Sequence, residues 1–539
     1  MRRRLGLGFA ATGLGAAVLV AVLWPALAIG GAAATPRVLR LNISDTNIEY
    51  IDPALNYDFL GWRLETMTCA RLLSYPDKAG AAGARLVPEV ARSMPRVSDN
   101  GLTYTFRIRP GFRFSDGSPV TPGSFRRAIE RALDPRMQSP AASFSSDIRG
   151  AAAVQAGKAK TPSGVKVSGD RLAITLTRRA PDFLSRISML FFCAVPENLP
   201  IDARGVTEIP GAGPYYFAEF NKRSSILLRR NPYYGGTRPQ RWDEVKVAQN
   251  VGVQTSYLQV RRGDIDLDIS GLPPAAQTEL TRSYGINNGR YFVLPGLTIQ
   301  YIALNTARPL FRDVSMRQAV AYAIDRIGLM RLAGLNGGIP NDQLLPPGIP
   351  GYRAVTVFPN RPNLARARAL MRGRTAKAVL YAGNDPVSKA QSELIRISLG
   401  RIGIEVQVET YTFGVQITKA GTRGEPFDMN LIGWFADYPD PYDFVNVLLY
   451  GKTIAKLNNV NTAYFDDPAF NRRMERAALT TGDARAATYA SLDRDLTRAA
   501  PFVVYGNSTI REFVSDRIGC PVTSAQAGGL NLTMLCLKR

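Results

Sequence analysis

Residues 102–121 read LTYTFRIRPGFRFSDGSPVT, and their period of two commits this part of the chain to paired strands with one buried face. Tyr104, Phe106 and Ile108 mark the first strand, Pro110-Gly111 a turn, Phe112 and Phe114 a second strand, and Asp116-Gly117 another turn. The period then changes. In SFRRAIERALDP, Phe125, Ile129, Ala132 and Leu133 share one helical face and Pro135 stops the helix. A strand pair running straight into an amphipathic helix makes the fold mixed α/β.

The same alternation recurs in VLRLNIS (38–44), in LAITLT (172–177), and in GPYYFAEF with SSILLRRN (213–231), which reads as a hairpin. Past Gly263 longer helices take over: SMRQAVAYAIDRIGLMRLAG (315–334), LARARALMRG (364–373) and SKAQSELIRISLGRIG (388–403), with strand-like AVLYAG and IEVQVETY between them. A chain of 539 residues exceeds what one core covers, so this change of rhythm predicts at least two lobes with separate cores.

The N-terminus predicts an export signal. Arg2, Arg3 and Arg4 precede an uncharged run from Leu5 to Pro36 with small residues Ala32, Ala33 and Ala34 near its end. The run is long enough to leave an uncleaved membrane anchor open, and it carries no Cys for lipid attachment. The chain's four cysteines, Cys69, Cys193, Cys520 and Cys536, are an even number in an exported chain. The expected pairs are Cys520 with Cys536 and Cys69 with Cys193; buried free thiols are the alternative.

Histidine is absent from the whole sequence, which excludes Ser-His-Asp and Cys-His catalysis and His-ligated zinc. The formal charge is +23, yet the arginines are scattered and interrupted by acids, so no clustered stripe for nucleic acid forms. No GxxxxGK[ST] loop is present, so the chain does not bind ATP by that motif.

GWFADYPDPYDF, residues 433–444, sets Asp437, Asp440 and Asp443 three apart among aromatics and prolines. A catalytic carboxylate pair would need the acids on one helical face, and Pro439 and Pro441 forbid a regular helix through the segment. A calcium loop would need the glycine and closing glutamate of the standard loop, which are missing. A turn built by Asp next to Pro fits Asp440 and Asp443. A seat for a cationic ligand is the remaining reading.

Several segments resemble, in order, the extracytoplasmic solute-binding proteins of ABC importers, in the family that includes oligopeptide- and dipeptide-binding proteins. They are LVPEVARSMPRVSDNGLTYTFRIRPGFRFSDGSPVT, GAGPYYFAEF, RRNPYYGG, RRGDIDLDIS, YIALNTARPLFRDVSMRQAVAYAIDR and GWFADYPDPYDF. The resemblance spans nearly everything after Leu39. It implies a two-lobe periplasmic-binding-protein fold with the ligand cleft between lobes: a first lobe over 36–298 with an inserted subdomain at about 70–200, a second over 299–502, and a C-terminal segment, 503–539, returning to the first.

It also implies roles. Asp437, in Trp434-Phe435-Ala436-Asp437, falls where relatives pair the peptide's N-terminal ammonium; Trp434 and Phe435 flank it, Tyr57 and Phe59 line the pocket from the first lobe, and Ser270 lies in a further contacting loop. Dipeptide-binding relatives carry an Arg in the segment matching YAGNDPVSKA (381–390), and this chain has none there. The implied protein is not an enzyme, needs no cofactor, binds a peptide or other small solute, and delivers it as a monomer to a membrane permease driven by a partner ATPase. Opines, oligosaccharides and metal chelates are the other ligands that the family implies, and a surface sensor without transport is the other role.

Overall fold

The computed structural model describes residues 35–78, 83, 85–524 and 528–538; the expected signal or anchor segment lies outside them. Three main sheets, of five, four and seven strands, carry this mixed α/β molecule.

The first sheet has five strands in the order Leu267–Asp268, Val38–Ser44, Glu244–Val251, Ser225–Arg230, Tyr215–Asn221. Val38–Ser44 runs parallel to both of its neighbours, and Leu39, Leu41 and Ile43 are fully buried, as their alternation predicts. The predicted hairpin forms between Tyr215–Asn221 and Ser225–Arg230.

The second sheet is antiparallel, with Thr103–Arg107 at its centre between Arg96–Val97 and Arg171–Thr175, and Val165–Ser168 outside the latter. Helix Pro122–Leu133 covers it, capped by Thr121 and Ser124 in a reciprocal box; Phe125 and Ile129 pack with Phe106, Leu172 and Ile174. The expected second strand through Phe112 and Phe114 is not a ladder strand. Asp116 and Gly117 turn the chain back at once, leaving one bridge, Arg113 to Pro119, although both phenylalanines are buried.

The third sheet has seven strands. Six lie in the order Tyr291–Pro295, Phe502–Phe513, Thr298–Leu304, Met429–Phe435, Ala376–Gly383, Ile404–Tyr411, and Gly338–Pro340 pairs with Phe502–Phe513. Ala376–Gly383, helix Pro386–Gly400 and Ile404–Tyr411 form the expected parallel βαβ unit. One expectation fails: the helix predicted over 315–334 is two helices, Val314–Ala323 and Arg326–Arg331. Asp325 caps the second by accepting from Gly328 N at 2.9 Å, while the buried Arg326 guanidinium donates to the carbonyls of Ala321, Pro359 and Val504, pulling the chain inward at the break.

Strand Phe502–Phe513 joins the sheets. Its first half pairs with Thr298–Leu304 and its second with Tyr291–Pro295, and Val514 then bridges to Leu267 in the five-stranded sheet. Beside it, Asn507 donates to Thr298 O at 2.7 Å and Ser508 N to Thr298 Oγ1 at 2.9 Å. Beyond it, Val514, Ile518, Leu530, Leu532 and Leu535 share a core with Leu39, Leu41 and Ile43.

Candidate functional site

The aspartate-rich segment straddles a strand end and a helix start. Strand Met429–Phe435 ends at Trp434 and Phe435, and helix Pro441–Leu449 begins with Pro441 in its first position, where the missing N–H costs nothing. Asp440 is the cap: its Oδ1 accepts from Tyr442 N at 2.8 Å, and Arg485 closes on the same carboxylate at 2.6 Å. Asp443, fully buried in the first turn, accepts through Oδ2 from the Asp437 backbone N–H at 3.0 Å and from Trp434 Nε1 at 3.1 Å. Both acids shape the turn, as expected, and Asp443 also fixes the backbone that presents Asp437.

Asp437 faces residues from the other end of the sequence. Tyr57 Oη donates to its Oδ2 at 2.7 Å, and the Phe59 ring meets Phe435 edge-on at 4.7 Å between centroids. Four of the six residues expected at the site therefore meet in two contacts. Tyr57 is held by Trp62 and Phe191, with ring centroids 5.6 and 5.4 Å away. Trp434 supports through its bond to Asp443. Ser270 does not join them: its hydroxyl is engaged with Asp268 at 2.5 Å and Ser44 at 2.9 Å, and it accepts from Ser44 N at 2.7 Å.

Withdrawal from water pushes the Asp437 carboxyl up to about 7, against the lowering effect of the Tyr57 hydroxyl and of Asp443. Asp443 is driven well above the usual carboxylate range by its burial and then by the charge of Asp437. Two acids this close share a cost that an incoming cation relieves.

A cavity of about 70 Å³ opens beside Asp437 and Phe435. Helix Phe59–Thr68, capped by Asp58, turns Phe59, Trp62, Arg63 and Thr66 toward it, one stripe at helical spacing. The segment after the helix adds Arg71, Ser74, Tyr75 and Asp77; Ser185, Ser188 and Arg238 complete the far wall, with Asn531 and Thr533 from the C-terminal segment. The disulfide Cys69–Cys193, with Cα atoms 5.6 Å apart, ties the helix end to the turn Leu190–Phe192 on this wall. Cys520 and Cys536 form the second disulfide, so both expected pairings are present. The volume holds a few waters and no peptide, so a ligand requires the walls to part.

Sequence reasoning did not single out Trp62, Arg63, Arg71, Tyr75 or Arg238. The stripe on Phe59–Thr68 was findable from its spacing once Asp58 was read as a cap; Arg238 and Asn531 reach the cavity only through tertiary structure. Among the described residues, no group of three or more Cys, Asp or Glu is placed to hold a metal ion, and no helix is long and apolar enough to cross a membrane.

Residues 85–456 match the family described as bacterial extracellular solute-binding proteins, family 5 Middle. The sequence is 25% identical over 461 residues to the probable D,D-dipeptide-binding periplasmic protein DdpA of Escherichia coli, covering 83% of this chain and 84% of that one. It is 26% identical over 455 residues to the periplasmic oligopeptide-binding protein OppA of Escherichia coli, covering 77% and 78%. Among solved structures, clavulanic acid biosynthesis oligopeptide binding protein 2 superposes with a TM-score of 0.85 at 24% identity, over 94% of this chain and 96% of that one. The protein DppA from Helicobacter pylori in complex with the peptide STSA gives 0.77 at 22% identity, over 93% and 98%.

Proposed function

Because the chain belongs to family 5 of the bacterial extracellular solute-binding proteins, a family of binding proteins and not of enzymes, we propose that it is the substrate-binding component of an ABC importer and closes on a peptide. The observation that carries this is the Asp437 carboxylate, facing a cavity with Tyr57 and Phe59 closing over it from the opposite wall. An ammonium enclosed there must be paired and hydrogen-bonded or its desolvation opposes binding, and a half-buried carboxylate held by a capped turn supplies that partner. Closure would be favoured by ligand because only the closed form lets both walls touch it.

We take residues 36–298 with 503–539 as the first lobe, 70–200 as its inserted subdomain, and 299–502 as the second lobe. The periplasmic names of its relatives support an extracytoplasmic location, reached by the N-terminal segment as a cleaved signal or an anchor. A membrane permease and its ATPase are the partners of such a monomer. The test is mass spectrometry of small molecules released from the purified, denatured protein, followed by titration with the peptides found and with their N-acetylated forms. Peptides that bind and lose most of their affinity on acetylation support the reading; release of opines or sugars alone refutes it.

A further inference from the structure

Elsewhere the chain mixes its charges, but between Asp342 and Asp385 it has no acidic residue, while Arg361, Arg366, Arg368, Arg372, Arg374 and Lys377 all fall there. The fold gathers most of them at one end of the seven-stranded sheet. Helix Leu364–Met371 packs inward through Ala367 and Met371, which leaves Arg366 and Arg368 exposed, with Arg372 at the C-terminal cap. Arg368 Nε donates to Arg401 O at 3.0 Å, so this helix borders the end of helix Pro386–Gly400. The bordering acids are each engaged by another cation of the same face: Asp313 by Arg374 at 2.8 Å, Glu405 by Lys377 at 3.3 Å and Glu393 by Arg396 at 2.6 Å. Among the described residues, no carboxylate forms an ion pair with Arg366, Arg368, Arg372 or Arg401.

An open groove of about 620 Å³ lies on this face, at the N-terminal ends of the parallel strands Ala376–Gly383 and Ile404–Tyr411. Thr375, Lys377, Arg396, Gly400 and Gly403 line it, with Glu405 on the Lys377 side. A Cβ at Gly400 would meet nothing within 4 Å, so the groove is open there. Arg374 and Arg401, next in the chain to Thr375 and Gly400, flank it. Guanidinium forks match phosphate oxygens two at a time, and each cation held near an anionic bilayer adds attraction within a Debye length. Ile397, 42% exposed and four residues before Arg401, offers an apolar side chain for the boundary beneath the headgroups. No aromatic ring lines the groove, whereas single-stranded nucleic acid would need such platforms for its bases.

We propose that this end of the molecule binds the phosphate headgroups of an anionic phospholipid membrane, with Arg366, Arg368, Arg372 and Arg401 against the bilayer surface and one headgroup in the groove beside Lys377 and Arg396. The site is remote from Asp437. Ala376–Gly383 runs parallel to Met429–Phe435 with Leu380 opposite Met429; Ala376 lies four residues before that pair and Phe435 six after it, roughly 30 Å apart along the sheet. Docked by this face, the protein stays at the membrane with its cleft clear of the bilayer. The proposal rests on the extracytoplasmic location given above and holds whichever solute the cleft takes.

The experiment is flotation of the full chain with vesicles of phosphatidylcholine alone and of phosphatidylcholine mixed with phosphatidylglycerol, at low and high salt. The apolar N-terminal segment would bind both kinds alike; the arginine face should favour the anionic vesicles about a hundredfold at low salt, and high salt should abolish the preference. Arg366→Gln/Arg401→Gln should cut the preference about 25-fold, near fivefold for each charge, and Gly400→Glu, which sets a carboxylate in the groove, about fivefold or more. All three positions are exposed, so thermal unfolding should match wild type. Arg107→Gln/Arg223→Gln, the same loss of charge at exposed positions of the other two main sheets, should leave the preference nearly unchanged. Equal losses in the two double variants, or no preference for anionic vesicles, overturn the site. Binding of single-stranded DNA that Arg366→Gln/Arg401→Gln abolishes, without a vesicle preference, gives the face to nucleic acid and overturns it too. Peptide titration of the same variants should be unaltered, which separates failure of this site from failure of the peptide reading.

Discussion

Tyr438 Oη donates to Asp182 Oδ2 at 3.1 Å, both side chains buried, and the Tyr438 ring sits in the core beneath the four-stranded sheet while its neighbour Asp437 faces the cavity. Asp182 is also paired with Arg186 at 3.1 Å, so the tyrosine donates to a carboxylate that is already neutralised. The contact joins the turn after Met429–Phe435 directly to the start of helix Phe183–Arg186.

Tyr438→Phe removes one hydrogen bond to a charged group and keeps the ring packed, so it should weaken this contact by about 1–2 kcal/mol. Small-angle scattering of the ligand-free protein should show a larger radius of gyration than wild type, and saturating ligand should abolish the difference. An unchanged radius would mean that the contact does not hold the walls together.

Asp437→Asn removes the charge and keeps the shape. Affinity for a peptide with a free N-terminus should fall about 10- to 100-fold, less than for a fully buried pair because the site is half open to water. Thermal stability without ligand should not drop, since the raised carboxyl already opposes folding when ionised. Equal affinity of wild type and variant, read by titration, would remove the ammonium seat.

Binding should depend on pH with a definite sign. Burial pushes the free-state carboxyl of Asp437 up to about 7, and only its ionised form pairs with an ammonium. Apparent affinity should therefore fall as pH drops below about 7, by up to about tenfold per unit, with a proton released on binding. It should fall again above about 8 as the peptide's own amine deprotonates. Titration in buffers of different ionisation enthalpy measures the released proton directly.

Loss of Cys69–Cys193 should cost about 2–4 kcal/mol, since the bond closes a long loop across the cavity wall. Calorimetry of Cys69→Ala/Cys193→Ala should show a lower unfolding temperature. The same pair of changes at Cys520 and Cys536, whose separation is 16 residues, should cost less.

What was legible in the sequence followed local physics. Alternation placed Val38–Ser44 and Thr103–Arg107, and Pro441 placed a helix start that separates Asp437 from Asp443. Failures arose where distant residues decide the outcome. The break at Asp325 depends on carbonyls that Arg326 finds at Pro359 and Val504, and Ser270 is drawn away by Ser44 on a neighbouring strand. Periodicity sees neither. Resemblance located Tyr57, Phe59 and Asp437, but the far wall of the cavity is assembled from Arg71, Ser185 and Arg238, which no single window contains.

Strand Phe502–Phe513 and the segment around Thr298 pass side by side between the sheets and are hydrogen-bonded to each other through Asn507 and Ser508. Two ribbons latched together resist sliding and stretching but still bend and twist. Bending or twisting of that ribbon would therefore move the five-stranded sheet, reached through the Val514–Leu267 bridge, while leaving the register of Phe502–Phe513 against Thr298–Leu304 unchanged.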